Sequence, residues 1–115
     1  MSISITGKKG FQISMSNGIT VSVQFGPGNY CEQRDADFIA PEQSIMDWTS
    51  GTAEVAAFYT DSGNMDRDWI QVDGFTDEWD DVSGWNDADR VAEFISKVAA
   101  MPSRTDTDKR GVEAA

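Results

Sequence analysis

Residues 11–31 read FQISMSNGITVSVQFGPGNYC, and apolar and polar side chains alternate on both sides of Asn17-Gly18. A period of two is typical of a strand with one buried face, and Asn-Gly between two such runs predicts a β-hairpin with a type I′ turn. The apolar positions are Phe11, Ile13 and Met15 before the turn and Ile19, Val21, Val23 and Phe25 after it. One face of the hairpin is therefore apolar and needs a cover from elsewhere in the chain.

The predicted cover is a helix from Asp87 to Ala100. Asn86 suits the N-cap, carboxylates follow in the first turn, and Pro102 stops the helix after Met101. Apolar residues recur at spacings of three and four, which predicts one buried helix face. That face consists of Ala88, Val91, Ala92, Ile95, Val98 and Ala99.

Three further segments complete the predicted sheet. Ile3 and Ile5 alternate with serines, which indicates either a short edge strand or a frayed terminus. Residues 53–59 and 69–72 favour a second hairpin, followed by an acidic, aromatic loop over 75–85. A long connection over 32–52 carries the apolar residues Phe38, Ile39, Ile45, Met46 and Trp48.

Together these segments predict an α+β fold, an antiparallel sheet of about four strands packed against one C-terminal helix. The length of 115 residues is typical of one domain. We assign residues 1–102 to a single domain and residues 103–115 to a polar C-terminal tail.

The composition narrows the possible functions. A net charge of −11 disfavours direct binding to nucleic acid or to anionic membranes and favours a basic partner. The chain has no histidine, the commonest general base and transition-metal ligand. A single cysteine favours a reducing compartment, and no apolar run reaches the length of a membrane span, so we expect a cytoplasmic protein. Because the sequence has no histidine and no catalytic motif, we expect neither enzymatic activity nor a cofactor.

The negative charge is concentrated in residues 61–93. This third of the chain carries eleven carboxylates against two arginines, a net of −9, together with three tryptophans. Dense like charge costs self-repulsion, and tryptophan is a common interface anchor, so the pattern favours a surface for an Arg- and Lys-lined groove. The candidate partner-binding residues are Asp73, Asp77, Glu78, Trp79, Asp80, Asp81, Asp87 and Asp89. The alternative interpretation is a solvated acidic surface with the tryptophans in the core.

Other site chemistries fit less well. Neither 61–66 nor 77–81 has the ligand spacing, central glycine and final glutamate of an EF-hand, so we predict no metal site. Asp80 and Asp81 are adjacent, yet nothing sets them across a substrate from one another, so we predict no catalytic residue. The loop from Gly26 to Asn29 lacks the Lys-Ser/Thr of a phosphate-binding loop and suits a plain turn.

The segment from Gly10 to Cys31, with its NG-x-TVSVQFGPGNYC core, resembles small proteins of unknown role in phages and prophages. By analogy of type, such small acidic proteins are similar to anti-CRISPR and other anti-defence inhibitors that act as DNA mimics. Taken with the acidic surface, this analogy favours a protein of the bacterial host cytoplasm that binds a basic nucleic-acid-binding protein or ribonucleoprotein complex. The resemblance itself implies no active site. Two alternatives stay open: a module that binds a nucleotide signal near Gly26 to Asn29, and a structural phage protein that oligomerises through its sheet edge.

Overall fold

The computed structural model describes residues 1–7, 9–26, 29–32, 49–63 and 65–103. The apolar residues predicted to anchor the 32–52 connection lie outside the described residues. The same holds for Pro27 and Gly28 of the predicted turn and for the C-terminal tail beyond Ser103.

The described chain forms a five-stranded antiparallel sheet with one helix, which confirms the α+β prediction. The strands follow one another across the sheet in chain order, so each pairs with its sequence neighbour. The sheet has five strands rather than four because both Ser2–Ile5 and a late segment pair with it. The elements are β1 Ser2–Ile5, β2 Gly10–Ser14, β3 Ile19–Gln24, β4 Ala53–Tyr59, β5 Val82–Asn86 and α1 Ala88–Ala99.

The predicted hairpin is present as β2 and β3, but its turn is not type I′. Gly18 has a φ of 84°, whereas Asn17 does not have a positive φ. Met15 and Ile19 flank a three-residue loop, since Met15 N donates to Ile19 O and Gly18 N, within the loop, donates to Met15 O. Such loops place glycine in the left-handed position. Asn17 Nδ2 instead donates to the carbonyls of Val98 and Met101, both at 3.0 Å, and so joins the turn to the end of α1.

The predicted second hairpin is wrong in its last strand. Trp69 forms only an isolated bridge to Phe58, and Ile70 N donates to Ala57 O. The chain then leaves the sheet and returns as β5, which pairs with β4 from Ala56 back to Ala53. Part of the predicted 75–85 loop is therefore a strand. Two segments, residues 69–70 and β5, lie one after the other along the same edge of β4. The reason is that the buried Val72 turns inward to the core instead of continuing the strand.

The core lies between the sheet and α1, as predicted. The inward residues of β3 and β4 pack against Phe94 and Val98 of the helix. The predicted helix face is partly wrong because it omits Phe94, which is fully buried, and includes Ala88, Ala92 and Ala99, which are exposed. The N-cap is Asp87 rather than Asn86, since Asp87 Oδ1 accepts from Arg90 N at 2.9 Å.

Candidate partner-binding surface

An excursion of eleven residues interrupts the strand that covers the edge of β4. It leaves the sheet after Ile70 and returns at Val82, and Gln71 Nε2 donates to Asp81 Oδ1 at 2.7 Å across its base. We call residues 71–81 the acidic loop, because they contain five carboxylates and neither lysine nor arginine. A loop whose ends meet in this way projects its middle from a rigid base.

The first half of the acidic loop is fixed to the core. Val72 is buried, and the Phe75 ring lies edge-to-face on Phe94 with 5.1 Å between ring centroids. Val72 N donates to Thr76 Oγ1 at 2.7 Å, while Thr76 N donates back to Val72 O at 3.0 Å. Gly74 has a φ of 87°, a conformation that glycine adopts without strain. These contacts set the direction in which the second half projects.

Arg90 of α1 holds the loop from outside. Its Nη2 donates to Gly74 O at 3.0 Å and its Nε to Asn86 Oδ1 at 3.3 Å. Its guanidinium also lies 4.1 Å from the centroid of the Phe75 ring, within the range of a cation–π contact. Arg90 is therefore a positioning residue for the loop. Its charge lies against Gly74 and Phe75, in the first half of the loop.

The second half is an exposed tight turn. Asp77 and Asp80 exchange backbone hydrogen bonds of 3.2 Å in both directions, which places Glu78 and Trp79 at the corner. Asp77 Oδ1 also accepts from Trp79 N at 2.8 Å and from Asp80 N at 3.1 Å. Such a local side-chain bond stabilises a turn without help from neighbouring elements. The turn therefore presents an acidic and an aromatic side chain on an ordered backbone.

The carboxylates of the acidic loop differ in whether they also make structural hydrogen bonds. Asp77, Asp80 and Asp81 each accept hydrogen bonds through Oδ1, from the turn, from Val82 N at 3.0 Å and from Gln71 respectively. Asp73 and Glu78 have exposed side chains that bond to no other described residue. Substitution at Glu78 therefore changes charge alone, whereas lysine at Asp80 or Asp81 also breaks a structural bond.

The remaining candidates, Asp87 and Asp89, lie at the start of α1. Asp87 is the N-cap and Asp89 follows in the first turn, where negative charge is stabilised by the helix dipole. Asp73 precedes Gly74, whose carbonyl accepts from Arg90 Nη2 at 3.0 Å. β5 separates Asp81 from Asp87 by up to about 20 Å of extended chain. The structure thus divides the predicted residues into one group on the exposed turn and one around Arg90.

Three tryptophans are exposed, so the alternative that buries them in the core is wrong for these residues. Trp79 is 86% exposed, Trp85 59% and Trp69 37%. Trp69 packs edge-to-face on Phe58, whose ring also receives the Arg67 guanidinium at 3.8 Å. Trp79 therefore has the largest solvent-facing aromatic surface of the three.

Sequence reasoning missed Gln71 and Arg90, which shape the acidic loop. Gln71 pairs with a residue ten positions later, and no local pattern signals such a pair. Arg90 carried one possible signal, because it is the only lysine or arginine between Asp68 and Ser96. A single cation among many carboxylates often has a structural partner, although the sequence does not indicate that the partner is a carbonyl and a ring.

The loop around Gly26 to Asn29 is described only at its ends. Gly26 N donates to Asn29 Oδ1 at 3.1 Å, and Asn29 Nδ2 donates to Glu54 Oε1 at 3.0 Å. The Glu54 carboxylate also accepts from Tyr30 N. The polar groups at the ends of this loop are thus already hydrogen-bonded. The Glu54 carboxylate beside them disfavours a phosphate ligand.

An apolar hollow of about 390 Å³ lies elsewhere, between α1 and the sheet. Its lining includes Val23, Phe25, Val91 and Ile95, with Asn86 among the few polar residues. Within the described part of the chain, no group of three or more His, Cys, Asp or Glu is placed to hold a metal ion. The one helix among these residues is too short to cross a membrane.

Comparison with protein-family models, with curated proteins and with solved structures found no match to this chain.

Proposed function

We propose that this protein is a phage-encoded inhibitor of a bacterial defence system, of anti-CRISPR type, that acts by binding. Its acidic loop docks as a DNA mimic in a basic nucleic-acid-binding surface of a host protein or ribonucleoprotein complex. The observation that carries the proposal is the exposed turn at 77–80, where Trp79 is flanked by three carboxylates on an ordered backbone. The site of action is the cytoplasm of the bacterial host.

The charge of the loop supports this class of partner. A basic channel built for nucleic acid neutralises phosphates with its Arg and Lys side chains, and a dense run of carboxylates can take the place of those phosphates. The five loop carboxylates have no compensating cation within the loop itself. The same charge would steer encounter with a basic partner and accelerate association.

Trp79 gives the acidic loop an anchor that its carboxylates alone do not provide. A surface made only of carboxylates binds any basic patch weakly, whereas an exposed tryptophan fills a pocket or stacks on an arginine. Its main chain is fixed by Asp77, so the backbone that carries the ring loses little freedom on binding. The proposed role of Trp79 is therefore to anchor the loop at one place in the groove.

A ligand-binding module for a nucleotide signal has weaker support. The described ends of the Gly26–Asn29 loop bond to each other and to the Glu54 carboxylate, which would repel a phosphate group. The hollow beside α1 is mostly apolar and does not include this loop. We therefore keep inhibition by binding as the proposed function.

A pull-down from bacterial lysates that express defence systems tests the proposal. Tagged wild-type protein is compared with the triple variant Asp77→Asn/Glu78→Gln/Asp80→Asn, which keeps the turn's oxygen acceptors but removes three charges. Asp66→Asn is a control outside the loop, since the exposed Asp66 side chain bonds to no other described residue.

The proposal predicts that wild type and the control capture a nucleic-acid-binding complex that elutes as salt is raised, whereas the triple variant does not. Equal capture by wild type and the triple variant would refute it. A small molecule that copurifies with the wild-type protein, without a protein partner, would favour the ligand module.

A further inference from the structure

The first strand leaves one edge of the sheet open. β1 pairs with β2 on one side, and no described residue pairs with its other side. Natural edge strands are protected by a short length, a charge, a proline or a bulge. β1 is short, but its sequence SISI carries no charge, proline or bulge. Its outer edge can therefore pair with another short strand.

The side chains of β1 extend the apolar face of the sheet beyond the helix. Ile3 lies opposite Ile13, which lies opposite the buried Val21. In these rows exposure falls from 78% at Ile3 and 83% at Ile5 to 0% at Val21. Helix α1 contacts β3, β4 and β5, so it does not cover this end of the face. The exposed isoleucines are thus the uncovered margin of the core.

We propose that the occupant of this edge is a second copy of the same chain. Two β1 strands pair antiparallel about a two-fold axis perpendicular to the sheet and form one sheet of ten strands. Residues directly opposite in an antiparallel pair lie on the same face. The axis therefore sets isoleucine opposite isoleucine across the new pair and places both helices on the same side.

The distribution of charge selects a second copy over other partners. Strands β1, β2 and β3 contain no carboxylate, whereas the acidic loop lies at the opposite edge of the sheet. In the pair, nine strand spacings of ~4.8 Å put the two outer strands about 43 Å apart, well beyond a Debye length of about 10 Å at 0.1 M salt. Contact through β1 thus keeps the two acidic loops far apart and limits the repulsion between them. A basic partner, by contrast, is attracted to the other edge.

Sedimentation equilibrium of the full chain at several concentrations tests the inference. A four-residue strand gives a small interface, so we expect a dimer half-populated at ~10–100 µM. The limiting mass should be twice the 12.6 kDa of one chain. Added salt should tighten the dimer by screening repulsion, the opposite sign to that expected for binding of a basic partner by the acidic loop.

The variant Ile5→Lys should weaken self-association at least ~tenfold, because it sets a charge opposite an isoleucine in each half of the new pair. Met65→Lys makes the same change of charge at a residue that is 99% exposed and outside β1, and it should leave the dimer intact. Both positions are solvent-facing, so neither change should alter folding by more than ~0.5 kcal/mol.

Amide hydrogen exchange gives a second readout. Exchange at residues 2–5 should slow as the concentration of wild-type protein rises and should not depend on concentration in Ile5→Lys. A monomeric mass at ~1 mM protein, or a dimer that Ile5→Lys leaves unchanged, would overturn the inference.

Discussion

Trp79 is the residue on which the proposed interface depends most. Its ring is 86% exposed and bonds to no other described residue, so removing it should not change folding. We predict that Trp79→Ala alters the free energy of unfolding by less than ~0.5 kcal/mol. We expect it to weaken target binding by about 2 kcal/mol, roughly 30-fold.

Trp85→Ala is the matched control, because Trp85 is also exposed but lies at the far end of β5 from the turn. Calorimetric titration of the captured complex measures both variants. A similar loss of affinity in both would show that Trp79 has no special role.

Asp77 combines a structural and an electrostatic role that substitution can separate. Asp77→Asn keeps an oxygen to accept from Trp79 N and Asp80 N, whereas Asp77→Ala leaves both amides without that acceptor. We predict that the alanine variant loses about 1 kcal/mol of stability and the asparagine variant much less. Both should bind the target more weakly at low salt. Urea unfolding with salt-dependent binding data checks this, and equal stability of the two variants would contradict it.

At the scale of elements, Arg90 joins helix α1 to the acidic loop. We predict that Arg90→Ala costs about 1–2 kcal/mol, since it removes the bond to Gly74 O and the contact with the Phe75 ring. Amide exchange at residues 71–81 should accelerate. Lys97→Ala removes a cation from the same helix without such contacts and should leave the loop's exchange rates unchanged. Equal loop exchange in both variants would contradict this role.

Asn17 connects the first hairpin to the end of the helix. Its amide donates to Val98 O and Met101 O, carbonyls at the C-terminal end of α1. We predict that Asn17→Ala costs about 1–2 kcal/mol. Asn17→Asp should cost more, because a carboxylate cannot donate and is repelled by the helix C-terminus. Ser16→Ala in the same turn is the control, and thermal unfolding is the measurement. Equal melting temperatures for Asn17→Ala and Ser16→Ala would contradict the contact.

The elements differ in how far the sequence predicts them. The alternation from Phe11 to Phe25 is strict and local, so β2 and β3 follow from it. β5 does not, because Gly84 interrupts the alternation and its partner β4 lies about thirty residues earlier. Phe94 was missed on the helix because alanines fit any face. The stripe was centred on the alanine side of Val91, Ile95 and Val98, whereas the buried face lies on their Phe94 side.

The candidate site was predictable in composition but not in shape. The density of carboxylates and the presence of Trp79 are properties of the sequence alone. The closure of the loop by Gln71 and Asp81 depends on both ends meeting at β4, which is a tertiary event. For the same reason the sequence could not separate the carboxylates of the turn from those beside Arg90.

At the scale of the whole molecule, charge is distributed unevenly across the sheet. The β1 side of the sheet lacks carboxylates, and residues 61–93 carry a net charge of −9. Self-repulsion of this kind destabilises the compact state. We predict that the free energy of unfolding rises as salt increases from ~10 mM to 0.5 M, by about 1 kcal/mol. Urea unfolding at each salt concentration measures it, and a fall in stability over that range would contradict the charge argument.

The most direct test of the proposed function is competition for the captured target complex. A fluorescent duplex oligonucleotide is bound to the purified complex, and its release is followed by anisotropy as this protein is added. The account predicts stoichiometric displacement that weakens as salt rises and is lost in Asp77→Asn/Glu78→Gln/Asp80→Asn but retained in Asp66→Asn. Binding of this protein to the complex while the duplex stays bound would contradict mimicry of nucleic acid by the acidic loop.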